Sequence, residues 1–176
     1  MKSSVVILLT VLLFGCTSAP KGITPVEDFQ LSRYLGTWYE IARQNHSFEK
    51  GLSQVSATYT LQEDGGVAVL NRGYSEEEQA WKEADGRAYF VESANIGHLK
   101  VSFFGPFYGA YVIFELDKQD YQYAMVSGPN RKFFWLLSRT PQMPKEVIDE
   151  LLAKAAALGF PVDELIIVDQ SKKTSM

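Results

Sequence analysis

From residue 36 onward the chain alternates apolar and polar positions in segments of six to twelve residues separated by turn signals. A period of two turns one face of each segment inward and the other outward. Short segments at this spacing predict an all-β sandwich or barrel. The predicted strands are 37–44, 53–62, 67–74, 86–92, 98–104, 110–116, 121–127 and 132–139. Between them lie Glu63-Asp64-Gly65-Gly66, Gly105-Pro106, Asp117 to Asp120 and Gly128-Pro129-Asn130, all rich in turn formers. One stretch changes period. Val147, Ile148, Leu151, Leu152, Ala155 and Leu158 recur at helical spacing, with Pro144 suited to the first turn and Gly159 to the C-terminal cap. That stripe predicts a helix covering the outside of the domain, the alternative being a partner-binding helix. Glu164 to Val168 reads as a short ninth strand. Eight strands, a helix and a short strand predict an eight-stranded antiparallel up-and-down β-barrel, because closure removes the sheet edges.

The same alternation names an interior. One parity collects Val55, Ala57, Tyr59, Val69, Asn71, Ala88, Phe90, Leu99, Val101, Phe103, Tyr111, Ile113, Ala124, Val126, Phe133, Trp135 and Leu137. The set is apolar and aromatic with a few hydroxyl and amide groups, a lining that suits a lipid-like ligand. A filled core with no cavity satisfies the same pattern, and alternation alone does not choose between the two.

The N-terminus has a different character. Lys2 precedes an apolar run from Val5 to Phe14, broken only by Thr10. About ten residues is half of what a membrane-spanning helix needs, and it fits the apolar core of a signal peptide. The run ends Leu13-Phe14-Gly15-Cys16, which resembles the bacterial lipobox, although Phe14 stands where a smaller residue is usual. That resemblance implies cleavage of residues 1–15 and lipidation of Cys16 as an N-palmitoyl, S-diacylglycerol cysteine. An ordinary signal peptide with an incidental cysteine is the plainer alternative. Thr17 follows the cysteine, where an Asp is the familiar signal for inner-membrane retention, so the resemblance implies the outer membrane with the domain facing the periplasm. Residues 16–28 are small, polar and proline-broken and read as a lipidated tether. Residues 29–170 then form the barrel with its helix, and residues 171–176 a flexible tail.

Composition narrows the chemistry. With 17 basic and 21 acidic residues, a net charge of -4 and no basic block, nothing recommends nucleic acid as a partner. The single cysteine excludes an intrachain disulfide and a cysteine-based zinc site. Glu76-Glu77-Glu78 has neither a nearby histidine nor a calcium-loop pattern and reads as a solvated loop, so no metal or other cofactor is expected. His46 and His98, the two histidines, sit in no recognisable catalytic motif and are expected in loops or at the surface. Glu40 and Glu115 share the interior parity and are the one candidate carboxylate pair; the plainer expectation puts both near the barrel ends, in reach of water. The chain is accordingly expected to bind rather than catalyse.

Three motifs in order along the domain resemble those of the lipocalin family. They are Gly36-Thr37-Trp38-Tyr39-Glu40 at the first strand, Asp117 to Tyr123 before the seventh with Gln119 in place of threonine, and Arg139 after Trp135-Leu136-Leu137-Ser138. The resemblance implies that Gly36, Trp38 and Arg139 build the closed floor of the barrel, the arginine lying across the tryptophan ring. Arg33 to Arg43, Lys100 to Gly109 and Leu137 to Pro141 look most like the bacterial outer-membrane lipoproteins of the family. Those relatives imply a fatty acid or lysophospholipid ligand, a role in envelope maintenance under stress, and a homodimer by analogy. The thiol chemistry of the few catalytic family members has no counterpart, since an acylated Cys16 lies outside the barrel. A different hydrophobic cargo, such as a tetrapyrrole or quinone, or a surface adhesion role, are the competing readings. The aromatic stretch Phe103 to Tyr108 is a candidate rim or membrane contact, or else plain packing between adjacent strands.

Overall fold

A computed structural model describes residues 17–171 of the 176-residue chain. The predicted signal segment, Cys16 and the last five residues of the predicted tail lie outside the described residues.

Eight strands form the barrel: β1 (Gly36–Arg43), β2 (Leu52–Leu61), β3 (Val67–Ser75), β4 (Ala80–Phe90), β5 (His98–Phe104), β6 (Phe107–Leu116), β7 (Tyr123–Ser127) and β8 (Phe134–Ser138). Each runs antiparallel to the next, and β1 pairs with both β2 and β8, which closes the sheet. A one-turn helix, α1 (Leu31–Tyr34), precedes β1, and a longer one, α2 (Lys145–Ala157), follows β8. The ninth strand, β9, is only Ile166–Ile167 and adds to β1.

Strand β4 begins at Ala80 rather than at residue 86. Its early inward positions are Ala84 and Gly86, and its neighbours Lys82, Glu83 and Asp85 are exposed, so no apolar alternation marks it. Gly86 is small for a reason: a Cβ there would stand 2.7 Å from the Phe103 ring. The α2 cap matches its sequence signal. Gly159 takes φ +83°, its N–H donates to the Ala156 carbonyl at 2.9 Å, and the Phe160 N–H donates to the Ala155 carbonyl at 3.1 Å.

A bulge between Glu40 and Ala42 divides β1. Below it, Gly36 to Tyr39 pair with β2; above it, Ala42 and Arg43 pair with β9 instead. The gap where β2 leaves β1 is bridged by the Gln170 side-chain amide, which donates to the Glu40 carbonyl at 2.9 Å and to the Val55 carbonyl at 2.8 Å.

Two apolar layers result. One, outside the wall, packs Leu151, Ala155 and Phe160 against Ile41, Met125, Phe134 and Leu136. The other, inside the barrel, gathers Phe29, Tyr34 and Trp38 with Ile113, Ala124 and Val126 at the end where β1 starts. Residues 17–28, expected as a tether, lie against the barrel. Ile23 is buried in the outer layer, the Val26 N–H donates to the Ile113 carbonyl at 2.8 Å, and the Gly97 N–H donates back to the Val26 carbonyl at 2.8 Å. The apolar side chains of Ile23 and Val26 explain the docking, since the polar and proline residues around them conceal a two-residue grip.

Candidate functional site

The two ends of the barrel differ because the chain crosses one of them. Residues 29–35 run under the barrel, and Trp38 is fully buried above them, its Nε1–H donating to the Tyr34 carbonyl at 2.8 Å. The Arg139 guanidinium carbon lies 3.9 Å from the Trp38 ring centroid. Its nitrogens donate to the carbonyls of Thr37, Arg33 and Tyr121, which ties β1, α1 and the β6–β7 turn together. Gly36, at φ +91°, places the chain where a Cβ would stand 3.6 Å from an Arg139 nitrogen. Asp117 completes this end by accepting from the backbone N–H groups of Gln119, Asp120 and Gln122, so the substitution at Gln119 leaves the turn intact.

Above this floor the barrel is hollow. A cavity of about 900 Å³ opens at the opposite end, between the β1–β2, β5–β6 and β7–β8 connections. Val55, Ala57 and Tyr59 from β2, Val69 and Asn71 from β3, and Ala88 from β4 line it. So do Leu99, Val101 and Phe103 from β5, Tyr111 from β6, and Phe133, Trp135 and Leu137 around β8. Four residues of the expected interior do not reach it. Ile113, Ala124 and Val126 are fully buried in the packed layer beneath the cavity, and Phe90 packs there edge-on to Phe29 at 6.1 Å. Their parity is inward as predicted, but the lower third of the barrel is filled, chiefly by Phe29, Tyr34 and Trp38.

Parity also missed the contributions of segments that are not strands. Phe29, Leu31 and Tyr34 come up from the floor, and Phe48, Glu49 and Lys50 reach in from the β1–β2 loop. The Tyr34 hydroxyl meets that of Tyr111 at 2.7 Å, and Tyr111 meets Tyr59 at 2.7 Å, so three phenols form one chain at the base of the cavity. Burial pushes all three hydroxyls above their ordinary pKa, keeping them neutral.

A charged cluster occupies one upper wall. Arg43, almost fully buried, donates to Glu40 Oε2 at 3.3 Å and to the carbonyls of Glu49 and Leu52 at 2.8 and 3.1 Å. Glu49 Oε2 lies 2.9 Å from His46 Nε2 and accepts from Trp135 Nε1–H at 3.1 Å. Burial and then the Glu49 charge push the Glu40 carboxyl well up, against the pull of Arg43. Burial also acts to raise Glu49, but hydrogen bonding and charge from His46, with help from Glu40 and Trp135, outweigh it and hold Glu49 down. The carboxylate neighbour of Glu40 is therefore Glu49. Glu115 lies on the outer wall, 3.6 Å from Lys154 of α2, because a bulge between Ile113 and Glu115 reverses its side. His46 lies in the β1–β2 loop, as expected, but is buried there between Glu49 and the Phe48 ring, whereas His98 is a buried residue of β5 with its Nε2 2.8 Å from the Thr17 carbonyl oxygen. Among the described residues no cluster could hold a metal ion.

The mouth is aromatic and basic. Phe48, Phe104 and Phe107 are 57%, 80% and 78% exposed, far beyond what packing between strands leaves for a phenylalanine. Lys50, Arg72, Lys82 and Glu83 border the same opening, with Arg72 paired to Glu83 at 3.4 Å and Lys82 paired to Glu78.

Residues 29–170 match the family described as the lipocalin-like domain. The chain is 55% identical over 170 residues to the outer membrane lipoprotein Blc of Vibrio cholerae serotype O1, covering 97% of this chain and 99% of that one. It is 49% identical to the protein of the same name from Escherichia coli strain K12, covering 90% of each. Among solved structures, insecticyanin from the tobacco hornworm superposes with a TM-score of 0.69 at 23% identity, covering 88% of this chain and 87% of that one. Floor, hollow and sequence agree, and the chain belongs to the lipocalin family.

Proposed function

We propose that this lipocalin is a lipid-anchored protein of the bacterial outer membrane that binds fatty acids or lysophospholipids. It stores or carries them in maintenance of the envelope under stress. The observation that carries the reading is the cavity: about 900 Å³, apolar-walled and open at one end, within the roughly 300–1,000 Å³ range of small-molecule sites. At about 25 cal/mol per Å² of apolar surface, one buried acyl chain contributes several kcal/mol before ordering costs. The Lys50 ammonium at the mouth suits a phosphate headgroup left outside, Arg72 and Lys82 beside it being paired with Glu83 and Glu78. The exposed Phe48, Phe104 and Phe107 suit contact with the bilayer from which such a ligand comes.

The V. cholerae and E. coli relatives are named as outer membrane lipoproteins, which supports a lipid anchor; in this reading it is Cys16, N-palmitoylated and carrying a diacylglycerol thioether. One acyl chain binds membrane only marginally, and three hold the protein there. In this reading residues 1–15 are removed, the barrel faces the periplasm, and the homodimer stays an analogy with family members.

Native mass spectrometry and lipid extraction of the soluble protein lacking the anchor test the ligand. Recovery of fatty acid or lysophospholipid is the expected result. A coloured, absorbing species favours a tetrapyrrole or quinone cargo instead. An empty cavity that no lipid fills overturns the carrier function and leaves adhesion.

A further inference from the structure

The three phenols at the base of the cavity have an arithmetic consequence. Tyr34, Tyr111 and Tyr59 carry three hydroxyl protons but make only two hydrogen bonds, both to Tyr111. No other residue among those described bonds to any of the three hydroxyls; Tyr34 and Tyr59 are buried among apolar neighbours, and Tyr111 is half-buried on the cavity wall. Whichever way the protons are arranged, one O–H is left without a protein acceptor. Four of the six lone pairs stay open as well. An apolar floor, which a methyl terminus would want, needs none of these groups.

We propose that the phenol chain is a deep polar subsite that takes the protonated carboxyl group of a free fatty acid, bound head-in. The inference rests on the acyl-ligand reading above and adds an orientation to it. A carboxylic acid fits the count on both sides. Its carbonyl oxygen accepts the spare phenol proton, and its own O–H donates to an open phenol lone pair. A carboxylate fits worse: it finds one donor for its charge, and the Glu40 and Glu49 carboxyls bear on Tyr59. Arg139, the cation that bears on Tyr34, is already bonded to three backbone carbonyls over the Trp38 ring. The upper wall offers a carboxylate little: Glu40 and Glu49 both line the cavity there, and Arg43 is already bonded to Glu40 and two carbonyls, which leaves Lys50 at the mouth. Head-in, the acyl chain runs up the wall of Val69, Val101 and Phe103 and its methyl end emerges among phenylalanines. A lysophospholipid keeps the other orientation, since its headgroup exceeds what three hydroxyls can satisfy. Asn71 is the remaining polar side chain of the mid-wall; it lines the cavity beside the Ala57–Tyr59 segment of β2.

The test uses palmitic acid labelled with carbon-13 at its carboxyl, bound to the soluble protein and followed by NMR from pH 4 to pH 9. The expected carboxyl resonance stays at its protonated position throughout and is untouched by a soluble paramagnetic relaxation agent. A resonance that titrates as free fatty acid does, or that the agent broadens, overturns the proposal. The second arm is the triple variant Tyr34→Phe, Tyr59→Phe, Tyr111→Phe, which keeps every ring and removes the whole hydrogen-bonded set; its thermal unfolding checks the fold. It should bind palmitate about tenfold more weakly, with a carboxyl that now titrates. Palmitate affinity and resonance unchanged in the folded variant also overturn the proposal. If the native protein binds lysophosphatidylethanolamine but holds palmitate head-out, the subsite fails and the carrier function stands. If it binds neither, both fail.

Discussion

The guanidinium carbon of Arg139 lies over the buried indole of Trp38, 3.9 Å from its centroid, and its nitrogens reach three backbone carbonyls on three different segments. Lysine can keep the charge over the ring but cannot supply the planar fork. Arg139→Lys should therefore lower unfolding stability by about 2 kcal/mol. Urea unfolding measures the loss, and ligand affinity of the folded variant should be unchanged because the contact lies under the cavity.

Each of the three tryptophans has a distinct place. Trp38 is sealed in the floor, Trp81 lies on the outer face under the Arg72 guanidinium at 4.0 Å, and Trp135 lines the cavity. A fluorescence change on adding lipid should then come almost wholly from Trp135. Trp135→Phe keeps a ring on the wall and should abolish that optical response while calorimetry still detects binding. A response that survives the substitution would mean that the ligand perturbs the floor or the outer face.

The charged cluster gives a pH dependence whose sign follows from burial. Glu40 holds its proton more tightly folded than unfolded, so its contribution to stability is complete below the ordinary value near 4.5 and is lost as pH rises through the folded pKa. Glu49 does the reverse, and its contribution is lost as pH falls through its lowered pKa. Glu40→Gln removes the first effect and keeps an oxygen that accepts from Arg43. The variant should be more stable than the native protein at pH 8, with the difference shrinking toward pH 4. Denaturant unfolding at a series of pH values measures it, and equal stability at all pH would show that Glu40 is not desolvated.

The legible and illegible parts of the molecule separate along physical lines. Strands whose inward positions are large, such as β2 with Val55 and Tyr59 or β5 with Leu99 and Phe103, declare themselves by alternation. The first half of β4 does not, because Gly86 is small to make room for the Phe103 ring and Ala84 offers no large apolar side chain. Parity identifies the inside but not its depth: Ile113 and Tyr111 sit two residues apart on β6, yet Ile113 is packed over by the chain entering below and Tyr111 faces the hollow. Tyr34 and Glu49, which matter most to the chemistry of the cavity, sit on a one-turn helix and a loop, where no period exists to read. The ion cluster was half visible: Glu40 stood out, but its partner was set by the fold of the β1–β2 loop and not by any spacing in β6.

The docking of residues 17–28 makes the last prediction. Gly97 is where this segment meets the barrel: a Cβ there would stand 2.7 Å from Val26 Cγ2 and 3.2 Å from the Ile113 carbonyl oxygen that the Val26 N–H bonds. Gly97→Ala should lower stability by about 1–3 kcal/mol and speed hydrogen exchange at the Val26 and Gly97 amides, leaving the amides of β2 and β3 protected. The consequence reaches the membrane. Twelve undocked residues would behave as a leash of roughly 20 Å root-mean-square length, whereas a docked segment holds its first described residue, Thr17, beside His98 on the barrel wall. With Cys16 anchored in vesicles, the native barrel should thus keep a narrow range of distances from the bilayer, and Gly97→Ala should broaden it. Energy transfer from Trp135 to a surface dye measures that range, and equal ranges for the two proteins would show that the segment does not set the barrel's position.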